Sequence, residues 1–367
     1  MGTDRAAAEP VRMTARRTQV AVLVLALAAA AALVFRSQPA QKATPAGRAA
    51  LTTVWPQAQR ADIPGNLADG PIFHPGIFLD ARTAIGTAPA PSGDQQRLLV
   101  RNSDGTTREL RRRPIAGNPV FDAFATDGTT IAWTESIDGG RTEVWAATVT
   151  GPARRLTADT GNVLTYGSRN DMVIAGGAAH WVAAVGDAAT EIRSVPLTGG
   201  EVTVRKEPGV WSLSTWPWLV DGAGDRTGAT RLRNPETLQE TEVNTSGAEL
   251  TTCSPAWCRV LVVTGEGVAR IDAMRPDGKD RRRIAGSEAT AALTDVAVLD
   301  RFEVLAEPRP DSDLTGTEAL VVHDLTAKRT VELSAAVDGA FSRGGVLWWS
   351  TGDQDTTVWH TLDLRTV

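Results

Sequence analysis

Two cysteines, four histidines, four lysines and a single tyrosine stand in a chain of 367 residues. Two cysteines exclude a disulfide-dense small scaffold. The four histidines, His74, His180, His323 and His360, are scattered singly. They could build a metal centre only if the fold gathered them from distant segments, so neither a metal nor another cofactor is expected. From residue 71 onward no stretch carries convincing 3.6-residue apolar periodicity, which argues against a helical domain. The formal net charge is −5 and no basic run is longer than three residues, so nucleic acid is not an expected partner. Tryptophan, by contrast, is plentiful, with 11 residues in a composition that is 42% hydrophobic and therefore able to fold.

One long apolar run occurs, the 16 residues 20–35 (VAVLVLALAAAAALVF). As a helix it would span ~24 Å, and Arg17 and Arg36 could snorkel to reach the ~30 Å of a bilayer core. Arg5, Arg12, Arg16 and Arg17 precede it, which places the N-terminus in the cytoplasm and the remainder outside. The expected layout is a cytoplasmic tail at 1–17, a transmembrane signal-anchor at 18–36, a Pro/Ala-rich stalk at 37–70 and one β domain at 71–367. A cleaved signal peptide, with the rest secreted, is the other reading, although no Ala-x-Ala site directly follows the run. Residues 1–36 carry five arginines against Asp4 and Glu9, which leaves the exported part at −8.

From residue 71 onward short β-type runs alternate with Gly, Asp, Pro and Asn turns. The clearest unit is 125–159, ATDGTTIAWTESIDGGRTEVWAATVTGPARRLTAD, in which Asp127-Gly128 and Asp138-Gly139-Gly140 are hairpin signals between strand-like segments. Fainter copies occupy 97–111, 191–205, 267–284, 318–333 and 345–364. These divide the chain into units near 75–116, 117–160, 161–209, 210–247, 248–289, 290–337 and 338–367. A period of ~40–50 residues with four strands each predicts a β-propeller. The unit 210–247 fits least well, and the last holds only three strands. A strand from the N-terminal side, at 51–55 or 70–73, would complete it and close the ring. The expected fold is all-β with seven blades, six being the alternative count.

The pattern DG..IAW…DGG…VW….G..RRLT over 127–157 resembles the WD40-like repeat of TolB-type β-propellers. With the apolar segment and the Pro/Ala stretch, the arrangement is similar to exported TolB-like proteins of high-GC Gram-positive bacteria. The resemblance implies an extracytoplasmic propeller that binds a protein. TolB itself carries a separate α/β domain ahead of its propeller, which has no counterpart here.

Cys253 and Cys258 flank a four-residue loop, and pairing of the flanking strands would bring them within disulfide reach. Trp133, Trp145, Trp181, Trp348 and Trp359 recur in comparable strands and are expected between blades. Trp216 and Trp218, read as alternating on one strand face opposite Leu219, are a candidate binding surface.

No catalytic set stands out. Ala340-Phe341-Ser342-Arg343-Gly344 imitates a nucleophile elbow but runs into a strand instead of a helix. Asp311-Ser312-Asp313-Leu314-Thr315-Gly316 opens like a calcium loop yet has Val322 where a glutamate is required. Gly222–Gly228 lacks the dinucleotide spacing. The expectation is a membrane-tethered, non-enzymatic module that binds a protein or an envelope polymer. The alternative is a cell-wall polysaccharide hydrolase or lyase, with carboxylates such as Asp221, Asp272, Glu303 and Asp353 gathered at the propeller axis.

Overall fold

Asp-Gly pairs turn the hairpins. Gly105 and Gly128 adopt φ of +83° and +92°, a region that penalises a Cβ. The aspartate before each accepts from the following backbone, Asp104 from Thr106 N–H and Asp127 from Thr129 and Thr130 N–H. The computed structural model describes residues 48–367 except 138–139, 223–227, 229–230, 244 and 354. The expected tail, the anchor at 18–36 and the first part of the stalk lie outside the described residues. Among the described residues no helix is long and apolar enough to cross a membrane.

Residues 49–367 form one unit of seven antiparallel sheets. Blade 1 holds β2 (His74–Phe78), β3 (Ala84–Pro89), β4 (Gln95–Arg101) and β5 (Thr107–Pro114); β1 appears below. Blade 2 holds β6 (Val120–Thr126), β7 (Thr130–Ile137), β8 (Arg141–Thr148) and β9 (Arg154–Thr157). In blade 3, β10 (Asn162–Val163) and β11 (Met172–Ala175) both pair with β12 (Ala178–Val185), followed by β13 (Ala189–Pro196) and β14 (Thr203–Pro208). Its first strand is thus split by an excursion at 164–171. Blade 4 is thin: β15 (Ser212–Leu213), β16 (Leu219–Val220), β17 (Arg231–Arg233) and β18 (Glu240–Glu242). Blade 5 holds β19 (Glu249–Cys253), β20 (Cys258–Thr264), β21 (Gly267–Met274) and β22 (Arg282–Ala285). Blade 6 holds β23 (Thr290–Ala291), β24 (Phe302–Pro308), β25 (Glu318–Asp324) and β26 (Arg329–Val337).

Blade 7 closes the ring. Its order is β1 (Arg60–Pro64), β29 (Val358–Asp363), β28 (Val346–Thr351) and β27 (Ala340–Arg343), so among the described residues the earliest strand pairs with the last. The closing strand is neither 51–55 nor 70–73. Leu51–Val54 is a single helical turn, α1, and residues 68–71 turn the chain ahead of blade 1. Alternation along β1 buries only Ala61 and Ile63, against blade 1, while Trp55 fills the junction of blades 6 and 7. The ring therefore takes in residues that composition alone assigned to the stalk.

Seven apolar clusters hold the ring together, one at each junction between neighbouring blades. Each blade is apolar on both faces, which explains why its central strands read as near-continuous hydrophobic runs. Most of the tryptophans are committed here. Trp133 lies between blades 1 and 2, Trp181 between 2 and 3, and Trp348 and Trp359 between 7 and 1. Trp145 packs against the first of these, under the Arg111 guanidinium 3.6 Å from its ring. The Cys253–Cys258 disulfide ties the ends of β19 and β20. Its loop is short, so the chain-entropy gain is modest, on the order of 2 kcal/mol.

Candidate active site

The first strand of each blade borders the ring's interior, and chain from all seven first strands or the loops beside them lines three neighbouring cavities of about 700, 530 and 470 Å³. Into this space projects the 164–171 excursion of blade 3. Its sequence, LTYGSRND, is too polar for a buried strand, and short side chains fold it on itself. Asp171 accepts from Tyr166 N–H (3.0 Å) and Ser168 N–H (3.1 Å). Asp295 of blade 6 then grips the tip from across the ring. It accepts from Ser168 Oγ–H at 2.6 Å and from Arg169 N–H at 2.8 Å. The tip is anchored at both ends, and Arg169 borders all three cavities.

The 530 Å³ cavity collects the most chemistry. His74 comes from β2, Asp122 from β6, Arg169 from the excursion, Asp295 from the loop after β23, and Phe341, Ser342 and Arg343 from β27. Arg343 donates to Phe124 O (3.1 Å) and stands 3.9 Å from Asp122. Asp122 is half-exposed, so its carboxylate is open to a ligand. Phe341 is 52% exposed on the wall, stacked on buried Trp348 with ring centroids 5.8 Å apart.

Burial pushes the Asp171 carboxyl up to about 6, with the Asp122 charge adding to the rise, against backbone N–H groups and Arg343 that pull it down. The folded state therefore holds a proton that the unfolded chain releases near pH 4. Asp171 stabilises the fold most below that pH, and its contribution fades as pH rises through 6. Between pH 7.5 and 5.0 it is expected to add roughly 1–1.5 kcal/mol to unfolding free energy. Urea titrations of the wild type and Asp171→Asn at both pH values test this. Equal pH dependence in the two proteins contradicts it.

The carboxylates nominated from sequence do not converge. Asp221 borders the 700 Å³ cavity but is engaged by Arg231 through its backbone N–H (2.8 Å) and Nε (3.2 Å). Asp272 is buried on β21, the third strand of its blade, between Arg270 and Arg281. Glu303 is buried on β24, the second strand, where it meets Arg259. Asp353 caps an exposed turn through Thr356 and Asp355. A strand end in the sequence does not say which strand faces the axis, and none of these four lies on the innermost strand of its blade.

Trp216 and Trp218 do not share a face. Residues 214–218 are a hairpin turn closed by Ser214 N–H to Trp218 O (2.9 Å), so strand alternation does not apply. Trp216 stacks on His180 (3.8 Å) toward blade 3, while Trp218 packs toward blade 5. The remaining motifs resolve simply. Ser342 lies within β27, not on an elbow, and Ser312–Thr315 forms the short helix α2. The histidines stay apart: His180 bonds Ser194 and Ala175 O, His323 bonds Thr330, and His360 bonds Asp62 and Thr351. Among the described residues no group of three His, Cys, Asp or Glu is placed to hold a metal. Asp122, Arg169 and Asp295 were missed, and His74 and Arg343 were not tied to a shared site, because the five come from five different blades, far apart in sequence and with no local motif.

No family model and no curated protein matches the chain. Among solved structures it is similar to a prolyl endopeptidase from a study of two such enzymes, at 14% identity and TM-score 0.50, covering 84% of this chain and 50% of that one. It is also similar to a puromycin-hydrolyzing peptidase of Mycobacterium tuberculosis, at 13% identity and TM-score 0.51, covering 81% and 53%. An oligogalacturonate lyase solved with manganese matches at 9% identity and TM-score 0.49, covering 83% and 90%. The chain spans about half the length of the two peptidases. At these identities the likeness establishes the propeller fold. The two propellers at TM-scores of 0.50 and 0.51 belong to peptidases, and that finding goes against the expectation of a non-enzymatic binding module.

Proposed function

We propose that this propeller is a hydrolase or lyase acting on cell-wall polysaccharide, with the reaction in the 530 Å³ axial cavity. The observation that carries this reading is that Asp122, His74, Arg343 and Arg169, drawn from blades 1, 2, 3 and 7, line one cavity. Hydrolysis and elimination both need a group that takes a proton, a group that returns one, and a cation facing the negative charge that develops. Asp122 and His74 serve the proton transfers here, and Arg343 with Arg169 faces the charge.

Supporting this reading, the similar solved propellers belong to peptidases and a lyase. The apolar run at 20–35 behind a basic N-terminus and the oxidised Cys253–Cys258 pair support a tethered position outside the membrane. The resemblance to exported TolB-like propellers fits the same location.

Wild type and Asp122→Asn are incubated with soluble cell-wall glycan fragments, following new reducing ends for hydrolysis and ultraviolet absorbance of an unsaturated sugar for elimination. Turnover by the wild type, lowered on the order of 10²–10⁴-fold in kcat by the substitution, is the expected result. No turnover of any fragment by the wild type, or undiminished turnover by Asp122→Asn, overturns the reading.

A further inference from the structure

The arginines near the axis are mostly engaged. Arg343 is tied to Phe124 O beside Asp122, and Arg259 to Glu303 and three backbone carbonyls. Arg169 is the exception. Its backbone N–H is held by Asp295, yet among the described residues nothing accepts a hydrogen bond from its guanidinium and no carboxylate pairs with it. This half-buried cation stands where all three axial cavities meet.

A free arginine on a mobile surface loop would mean little, because water satisfies it. Here the backbone beneath it is fixed from two sides, by Asp171 within the excursion and by Asp295 from the opposite part of the ring. That arrangement removes in advance much of the ordering cost of presenting a guanidinium to a ligand. Two further unfilled features share the cavity with it. Ser342 Oγ is buried and has no hydrogen-bond partner among the described residues, and Phe341 is half-exposed. A planar guanidinium recognises a carboxylate or phosphate through two parallel N–H donors. An open aromatic face suits a flat ring carried by the same molecule.

We infer that Arg169 is the anchor for an oxyanion of the axial ligand, with Ser342 as an accessory hydrogen-bonding group and Phe341 as the platform for the attached ring. The ligand class is an acidic saccharide, bound through its carboxylate or through a phosphate substituent. The inference rests on the axial cavity being the reaction site only for calling that ligand a substrate. Binding at Arg169 stands or falls by itself.

Isothermal titration of the full chain with three probes tests it: a hexuronate trisaccharide, its neutral hexose counterpart, and inorganic phosphate. The wild type is expected to bind the hexuronate in preference to the neutral sugar. Arg169→Gln is expected to weaken that binding on the order of tenfold to a hundredfold, the scale of a charge-assisted hydrogen-bond pair. Arg169→Lys should fall between, since a point charge loses the second donor. Because the side chain has no partner to lose, the thermal midpoint of Arg169→Gln should match the wild type, which separates a lost anchor from a damaged fold. Arg169-dependent binding of phosphate alone supports the anchor and assigns the oxyanion to phosphate. Equal affinity for charged and neutral sugars, binding unchanged in Arg169→Gln, or no binding of hexuronate or phosphate at probe concentrations on the order of millimolar overturns the inference. Binding without turnover would sink the enzymatic reading and leave the anchor in place; turnover insensitive to Arg169 would sink the anchor and take Arg169 out of the reaction, leaving that reading on Asp122, His74 and Arg343.

Discussion

Trp181→Ala is expected to destabilise the protein by about 3–5 kcal/mol, the range for removing a large aromatic side chain from a closed core. Trp181 is fully buried between blades 2 and 3, where it packs with Ala125, Ala132, Val144 and Met172. Its indole N–H donates to Thr160 O at 2.9 Å, a bond that crosses from the end of one blade to the second strand of the next. Alanine would leave both a cavity and an unpaired carbonyl. The ring adds a consequence, since loss of one junction weakens the contact on which every other junction's closure depends. Urea unfolding monitored by circular dichroism measures the effect, and Trp181→Phe should cost less by retaining part of the volume. A loss below about 1 kcal/mol for the alanine variant would mean that the junctions are not what holds the ring.

Glu303→Gln should cost about 3 kcal/mol or more, because it strands a buried cation. Arg259 Nε lies 2.6 Å from Glu303 Oε1, with both side chains at most 6% exposed; the contact is a close ion pair and not an aligned hydrogen bond. Glu303 Oε2 also accepts from Ala297 N–H at 2.8 Å. Arg259 then donates to Leu293 O (2.7 Å), Thr294 O (3.2 Å) and Asp295 O (2.8 Å). This pair fixes the loop that carries Asp295, and through it the tip that presents Arg169. A double-mutant cycle with Arg259→Gln should give a coupling of at least about 1 kcal/mol, whereas additive losses would show the two groups to be independent.

How much of this was legible in the sequence depended on whether the signal was local. Asp-Gly turns and β-branched runs are local, so the seven units, their approximate boundaries and the hairpin disulfide could be read directly. Tryptophans flanked by strand-forming residues could be assigned to the junctions for the same reason. Residues 60–64 could not be placed, because RADIP is short, ends in proline and turns only Ala61 and Ile63 inward. Its strand character comes from pairing with β29, almost 300 residues away. The turn at 214–218 defeated an alternation argument that holds only inside a strand. The axial cluster was illegible altogether, since membership depends on which strand of each blade is innermost. Carboxylates chosen as strand ends, such as Asp272 and Glu303, proved to be partners of neighbouring arginines.

The choice between a working channel and a merely polar one comes down to where a ligand sits. The most direct measurement is a crystal structure of the protein soaked with an acidic cell-wall saccharide. The account predicts density in the 530 Å³ cavity, with an oxyanion on the Arg169 guanidinium, a ring over Phe341 and the reacting bond beside Asp122. A saccharide bound on the outer faces of the blades, with the axial cavity filled by water alone, would contradict it.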